Sequence, residues 1–154
     1  MRHQKNLFPL ISLLFCAAPV LLPAQTAAEL DAILESSAMN CAEAAWFVYA
    51  STAESPDIDA PPAAFAWAMH KGWLPARAAP DDPVTLGTLS FLIMQAFDLK
   101  GGLLYRIFPG PRYAFRSMVS RSFIQGAADP AMQVSGERFL MILGNVLEAA
   151  GETL

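Results

Sequence analysis

The chain has 154 residues, 55% of them hydrophobic, and a formal net charge of −4. That length fits one domain, and the acidic balance argues against a nucleic-acid partner. Only two cysteines are present, Cys16 and Cys41, so stability must come from packing rather than from a disulfide framework.

Arg2 and Lys5 precede an apolar run from Leu7 to Leu22 that contains Pro9 and Pro19. Leu22-Pro23-Ala24 then offers a small residue before Gln25. This pattern predicts a signal peptide at residues 1–24, and hence a secreted or periplasmic, cell-envelope location. A membrane anchor is the alternative, but the run is short for a span and carries two prolines. Lipidation at Cys16 is a further alternative, with bulky Phe15 before the cysteine. Cleavage would remove two basic residues and no acid, leaving eight basic against fourteen acidic residues, a formal −6. Cys41 would then be the only thiol, and no membrane span would follow. Roughly 130 residues suffice for a modest core.

The spacing of apolar residues predicts only helices. Gln25 to Glu35 is the first. Asn40 caps the second, with Glu43 three residues on as in a capping box and Ala44 to Tyr49 strongly apolar. Ser55 to Pro62 is acidic and proline-bearing, and reads as a linker. Ala63 to Lys71 is the third helix, with Phe65, Ala68 and Met69 on one face, and Gly72 stops it. Thr85 caps a fourth helix that is apolar on nearly every face from Leu86 to Phe97, the signature of a central buried helix. Leu103 to Phe108 reads as an apolar connector, and Pro109-Gly110-Pro111 as a rigid turn. Arg112 to Arg121 is the fifth helix, with Phe115, Met118 and Val119 inward and Ser117 outward. Ser135 caps the last, whose inner face is Phe139, Leu143, Val146 and Leu147. The fold class is all-α.

Residues 64–97 align with residues 114–147 at an offset of 50, without a gap. Ala64-Phe65 meets Ala114-Phe115, Trp73-Leu74 meets Phe123-Ile124, Pro80 meets Pro130, and Val84-Thr85 meets Val134-Ser135. Each unit is a helix, an aromatic-aliphatic plug, a loop, a hydroxyl cap and an apolar helix. Met39-Asn40 and the run to Tyr49 repeat the second half. Residues 25–154 thus form one domain. It has a first half-repeat at 25–55, a linker at 56–62, a repeat at 63–98, a connector at 99–111 and a repeat at 112–154. Such units cannot bury their apolar faces alone, so they must pack into one compact bundle.

Two stretches carry a family resemblance. They are Gly72-Trp73-Leu74 with Val84-Thr85, and Phe123-Ile124-Gln125-Gly126 with Val134-Ser135-Gly136-Glu137-Arg138-Phe139. The pattern resembles the S-layer homology repeat, over most of the chain after residue 24. The resemblance implies a pseudo-threefold bundle of three repeats and non-covalent attachment to acidic cell-wall glycans. Leu86-Gly87-Thr88 stands where the family has Arg-Ala-Glu, and Gly136 replaces the arginine in the later copy. The chain also looks like short exported spirochaete proteins carrying Lys-Gly-Gly-Leu and Phe-Pro-Gly-Pro-Arg.

Charge is unevenly placed. Lys100, Arg106, Arg112, Arg116 and Arg121 fall in a stretch from Leu99 to Ala128 that has no acid, whereas ten acids lie between Gln25 and Asp98. A basic segment in an acidic chain points to an anionic partner, an envelope polysaccharide or an envelope protein. Alternatively, the segment pairs with the acidic half within the molecule. Arg112 and Arg116 share a helical face, and Tyr105 and Tyr113 are placed to stack on a sugar. Trp67, Trp73, Leu103, Leu104 and Phe108 are candidates for an apolar docking surface. No metal site or cofactor is expected. His70 is the only histidine after residue 24, and Asp81, Asp82 and Asp129 read as turn and cap groups. No catalytic constellation is evident, so the chain reads as a non-enzymatic binding module. Cys41 reads as a packed thiol, with a reactive nucleophile as the alternative.

Overall fold

The computed structural model describes residues 30–52, 58 and 60–151. The proposed signal peptide, residues 25–29 of the first helix and residues 56, 57 and 59 of the linker lie outside them. Among the described residues the fold is all-α and compactly packed. Its helices are α1 (residues 30–35), α2 (Cys41–Ala50), α3 (Pro61–His70), α4 (Leu86–Ala96), α5 (Leu103–Ile107), α6 (Pro111–Ser120) and α7 (Gly136–Gly151).

Three of these helices begin alike, because their caps have the same chemistry. The Asn40 side chain accepts from the Glu43 amide at 2.8 Å, and the Glu43 carboxylate accepts from the Asn40 amide at 3.4 Å. Thr85 Oγ1 accepts from the Thr88 amide at 3.2 Å, and Ser135 Oγ from the Arg138 amide at 3.4 Å. Each cap thereby satisfies one of the orphan donors of a first helical turn.

The residues just before the caps close a ring. The Met39 amide donates to the Val134 carbonyl at 2.9 Å, Val84 to Met39 at 2.8 Å, and Val134 to Val84 at 3.1 Å. All three side chains are fully buried. The next orphan donors are satisfied by neighbouring loops. Cys41 donates to Asp82, Leu86 to Met132 and Gly136 to Ser36, at 2.9, 2.8 and 3.0 Å. Ala42 reaches Pro80 and Gly87 reaches Pro130. The three helix starts are thus bound to one another through backbone groups, at the centre of the molecule.

Around that centre, α3 packs chiefly on α2, and α6 chiefly on α4. α4 is buried along almost its whole length, as its uniform apolarity predicts, and its lone interior hydroxyl, Ser90, donates to the Leu86 carbonyl at 2.6 Å. α3 and α6 end in matching left-handed turns. Gly72 has φ 71° and Ser122 φ 61°. The Trp73 amide reaches the Ala68 carbonyl at 2.9 Å, and Phe123 reaches Met118 at 3.0 Å. This is the paired closure of a Schellman motif.

Several expectations are corrected. Residues 103–107, read as an apolar connector and not counted among the helices, form a helical turn. α3 starts at Pro61 rather than Ala63, because proline is tolerated in a first helical turn that needs no donor. Val119 and Leu147, expected inside, are exposed, whereas Ser117, expected outside, is buried.

Candidate functional surface

The surface is built on α5. This single turn is anchored to the core by one side chain. Tyr105 is buried, and its hydroxyl accepts from Gln95 Nε2 on α4 at 2.7 Å. Gly101 is required beneath it, since a Cβ there would overlap the Tyr105 ring. The Gly102 amide donates to Ser117 Oγ at 3.3 Å, and that hydroxyl donates to the Tyr113 carbonyl at 2.9 Å. Ser117 is therefore the buried polar link between α5 and α6. Burial raises the Tyr105 pKa above its ordinary value; the Gln95 hydrogen bond works against the shift and Asp98 adds to it.

Because Tyr105 occupies the one inward position, the other α5 side chains face outward. Leu103 is 70% exposed, Leu104 47%, Ile107 55% and the following Phe108 62%. Arg106 is exposed among them. Two hollows flank Tyr105. One, of about 240 Å³, is lined by Leu103, Leu104, Tyr113, Arg116, Ser117 and Ser120. The other, of about 520 Å³, is lined by Asp98, Lys100, Arg106 and Pro109 among others.

The structure thus distributes the basic residues around α5. Lys100 and Arg106 share one hollow, Arg116 borders the other, and Arg112 is exposed one turn before Arg116. The Arg121 guanidinium donates to the Lys100 carbonyl. None of the five forms an ion pair among the described residues. Asp98 is the acidic side chain that lines the hollow shared by Lys100 and Arg106. Of the two tyrosines expected to stack on a sugar, Tyr113 is half-buried beside Arg116, while Tyr105 is committed to the core.

Other features resolve as packing. Cys41 is buried, and burial first, then the nearby Asp82 carboxylate, pushes its thiol up to about 11. It remains protonated at neutral pH and supplies no nucleophile. Arg138 is held by the carbonyls of Ala127 at 2.7 Å and Gln125 at 3.3 Å, so it fastens the 125–132 loop to α7. Its cap-like role is not visible in its neighbours in sequence. A cavity of about 180 Å³ beside Trp46 and Phe47 has one carboxylate, Glu43, already used in the α2 cap. Trp67 and Trp73 are half-buried against each other, with centroids 4.5 Å apart and planes at 89°. Among the described residues no cluster of three or more His, Cys, Asp or Glu side chains is placed to hold a metal, and no helix is long and apolar enough to cross a membrane. Comparison with protein-family models, with curated proteins and with solved structures finds no match to this chain.

Proposed function

We propose that the chain is an exported, non-enzymatic binding module of S-layer-homology-like build that takes an anionic cell-envelope glycan on its α5–α6 face. One observation carries the reading: Lys100, Arg106, Arg112, Arg116 and Arg121 share one region of surface and have no ion-pair partner among the described residues. Cations without an ion-pair partner among the described residues are available to carboxylate or phosphate groups from outside, and arginine's planar fork suits both. Tyr113 beside Arg116 adds a ring edge against which a sugar can rest. The ring of three helix starts supports the repeat architecture, since it gives Met39, Val84 and Val134 the same role. In this reading the glycan-binding arginine of the family pattern, missing at the first residues of α4 and α7, is replaced by cations on the segment between them.

The test is co-sedimentation with purified cell wall, before and after its acidic polysaccharide is stripped. The intact chain is expected to bind the untreated wall, with affinity that falls as salt rises. The Arg106→Ala/Arg112→Ala/Arg116→Ala variant is expected to bind on the order of tenfold more weakly or worse. Unchanged binding by that variant, or equal binding to stripped wall, overturns the reading.

A further inference from the structure

We propose that α5 is a membrane-docking protrusion, which seats Leu103, Leu104, Ile107 and Phe108 in the surface of an anionic lipid bilayer while the surrounding cations hold the phosphate layer. The inference goes beyond the glycan reading and does not rest on it. It is carried by apolar side chains that glycan binding leaves unused.

The first observation is exposure. Four large apolar residues within six positions stand out of the fold, each roughly half or more exposed. Soluble surfaces scatter such residues singly; a contiguous group marks a protein or membrane contact. They belong to one rigid turn, since α5 is pinned from below by Tyr105 and tied to α6 through the Gly102–Ser117 hydrogen bond. Gly101-Gly102 precedes the turn and Pro109-Gly110-Pro111 follows it. The four apolar side chains therefore point outward from a turn that is fixed at its base.

The second observation is charge, which selects the occupant. The segment from Leu99 to Ala128 holds five cations and no acid. Arg106 lies inside the apolar run, with Lys100 and Arg116 bordering the hollows on its two sides. Among the described residues the carboxylate that lines these hollows is Asp98, in the one shared by Lys100 and Arg106. An anionic bilayer presents an apolar interior beneath a layer of negative charge. Apolar tips can enter the acyl boundary while Arg and Lys stems extend back to the head groups. The negative surface potential attracts each cation near it. A protein partner would need a hydrophobic socket with an acidic rim; a second copy of this chain would bring the same cations to face their own kind.

The experiment is co-sedimentation of the purified chain with vesicles of equimolar phosphatidylcholine and phosphatidylglycerol, and with phosphatidylcholine alone. The chain is expected to bind the mixed vesicles and to bind neutral ones at least tenfold more weakly, on the order of what several surface cations contribute. The Leu103→Ser/Leu104→Ser/Ile107→Ser/Phe108→Ser variant keeps Tyr105 and is expected to lose vesicle binding by on the order of a hundredfold. Its binding to purified cell wall is expected to stay unchanged. Vesicle binding equal in the serine variant and the parent overturns the proposal, as does failure of the parent to bind mixed vesicles. A parent that self-associates through α5, becoming monomeric in the serine variant without ever binding lipid, also overturns it. Wall binding that fails in both proteins while vesicle binding behaves as expected removes the glycan reading and leaves this one standing.

Discussion

The pair α2–α3 and the pair α4–α6 are built on the same plan, and they part company at the connector. In both, a helix that begins at the central ring packs against the next long helix, which ends in a left-handed turn. In the first pair the aromatic side chains turn inward. Tyr49, Trp67 and Trp73 stack edge to face with centroids 4.8 and 4.5 Å apart, and Lys71 sits 5.1 Å above the Trp67 ring. In the second pair a helical turn, α5, lies between the two helices, and its apolar side chains other than Tyr105 turn outward. The scaffold is shared; what one pair spends on packing, the other presents to its surroundings. Function is therefore sought where the plan is interrupted and not where it is repeated.

The comparison breaks most sharply if the common centre is disturbed. Gly136 opens α7 against α1, and an added Cβ would overlap the Ile33 carbonyl, a backbone group that cannot step aside. Gly87 opens the first turn of α4, but there a Cβ would lie 3.0 Å from the Pro130 carbonyl oxygen, a contact relieved by a small shift. Gly136→Ala is expected to cost about 3 kcal/mol or more, and Gly87→Ala to stay within about 1 kcal/mol because the gain in helix propensity offsets the crowding. Urea denaturation of both variants checks this. Equal midpoints would show that the α1–α7 contact is not part of the central ring.

The same centre makes a pH prediction through Cys41, whose amide donates to Asp82. Burial, with Asp82 second, raises the thiol from 9.0 to about 11. The folded chain therefore holds that proton more tightly than the unfolded chain does. The resulting stability is complete below the unfolded value and is lost as pH rises through the folded one. Between those two values the loss is expected to reach roughly 2 kcal/mol, with Tyr105 adding to it at the upper end. Cys41→Ala should flatten the slope at its lower end. Parallel alkaline profiles for both proteins, followed by thermal unfolding, would contradict the assignment.

Much of this plan is legible in the sequence, and the limits have physical reasons. Helix starts are local: Asn40, Thr85 and Ser135 announce themselves because a cap is made by a side chain within three residues of its donor. The inserted turn is less legible, because five residues are too few for a periodicity and its pinning group, Gln95, sits ten positions earlier. Ser117 looks solvent-facing by composition, yet it is buried because its hydroxyl meets the Gly102 amide fifteen residues away. Val119 and Leu147 look like core residues, yet no described helix covers them. The basic segment is plain in the sequence. That its charges have no ion-pair partner among the described residues is a matter of three-dimensional placement.

A smaller effect separates the two helix ends. Gly72 adopts φ 71° at no steric cost, whereas Ser122 adopts φ 61° with a Cβ that disfavours it. Exchanging the residue types should move stability in opposite directions. Ser122→Gly is expected to stabilise by about 0.5–1 kcal/mol and Gly72→Ser to destabilise by about 1 kcal/mol. Shifts of the same sign in the denaturation midpoints would mean that the two turns are not equivalent.

The smallest expected effect on stability falls on α5. Phe108 is 62% exposed and Ile107 55%, and neither belongs to the buried core. Phe108→Ser and Ile107→Ser are each expected to leave unfolding free energy within about 0.5 kcal/mol of the parent, the range of ordinary surface substitutions. Such substitutions remove large apolar side chains that folding does not use. A loss above about 2 kcal/mol would show instead that these side chains are buried against the protein itself. That result would erase the contrast between the connector and the packed aromatic cluster of Tyr49, Trp67 and Trp73. Unchanged stability is what the membrane-docking proposal for α5 requires.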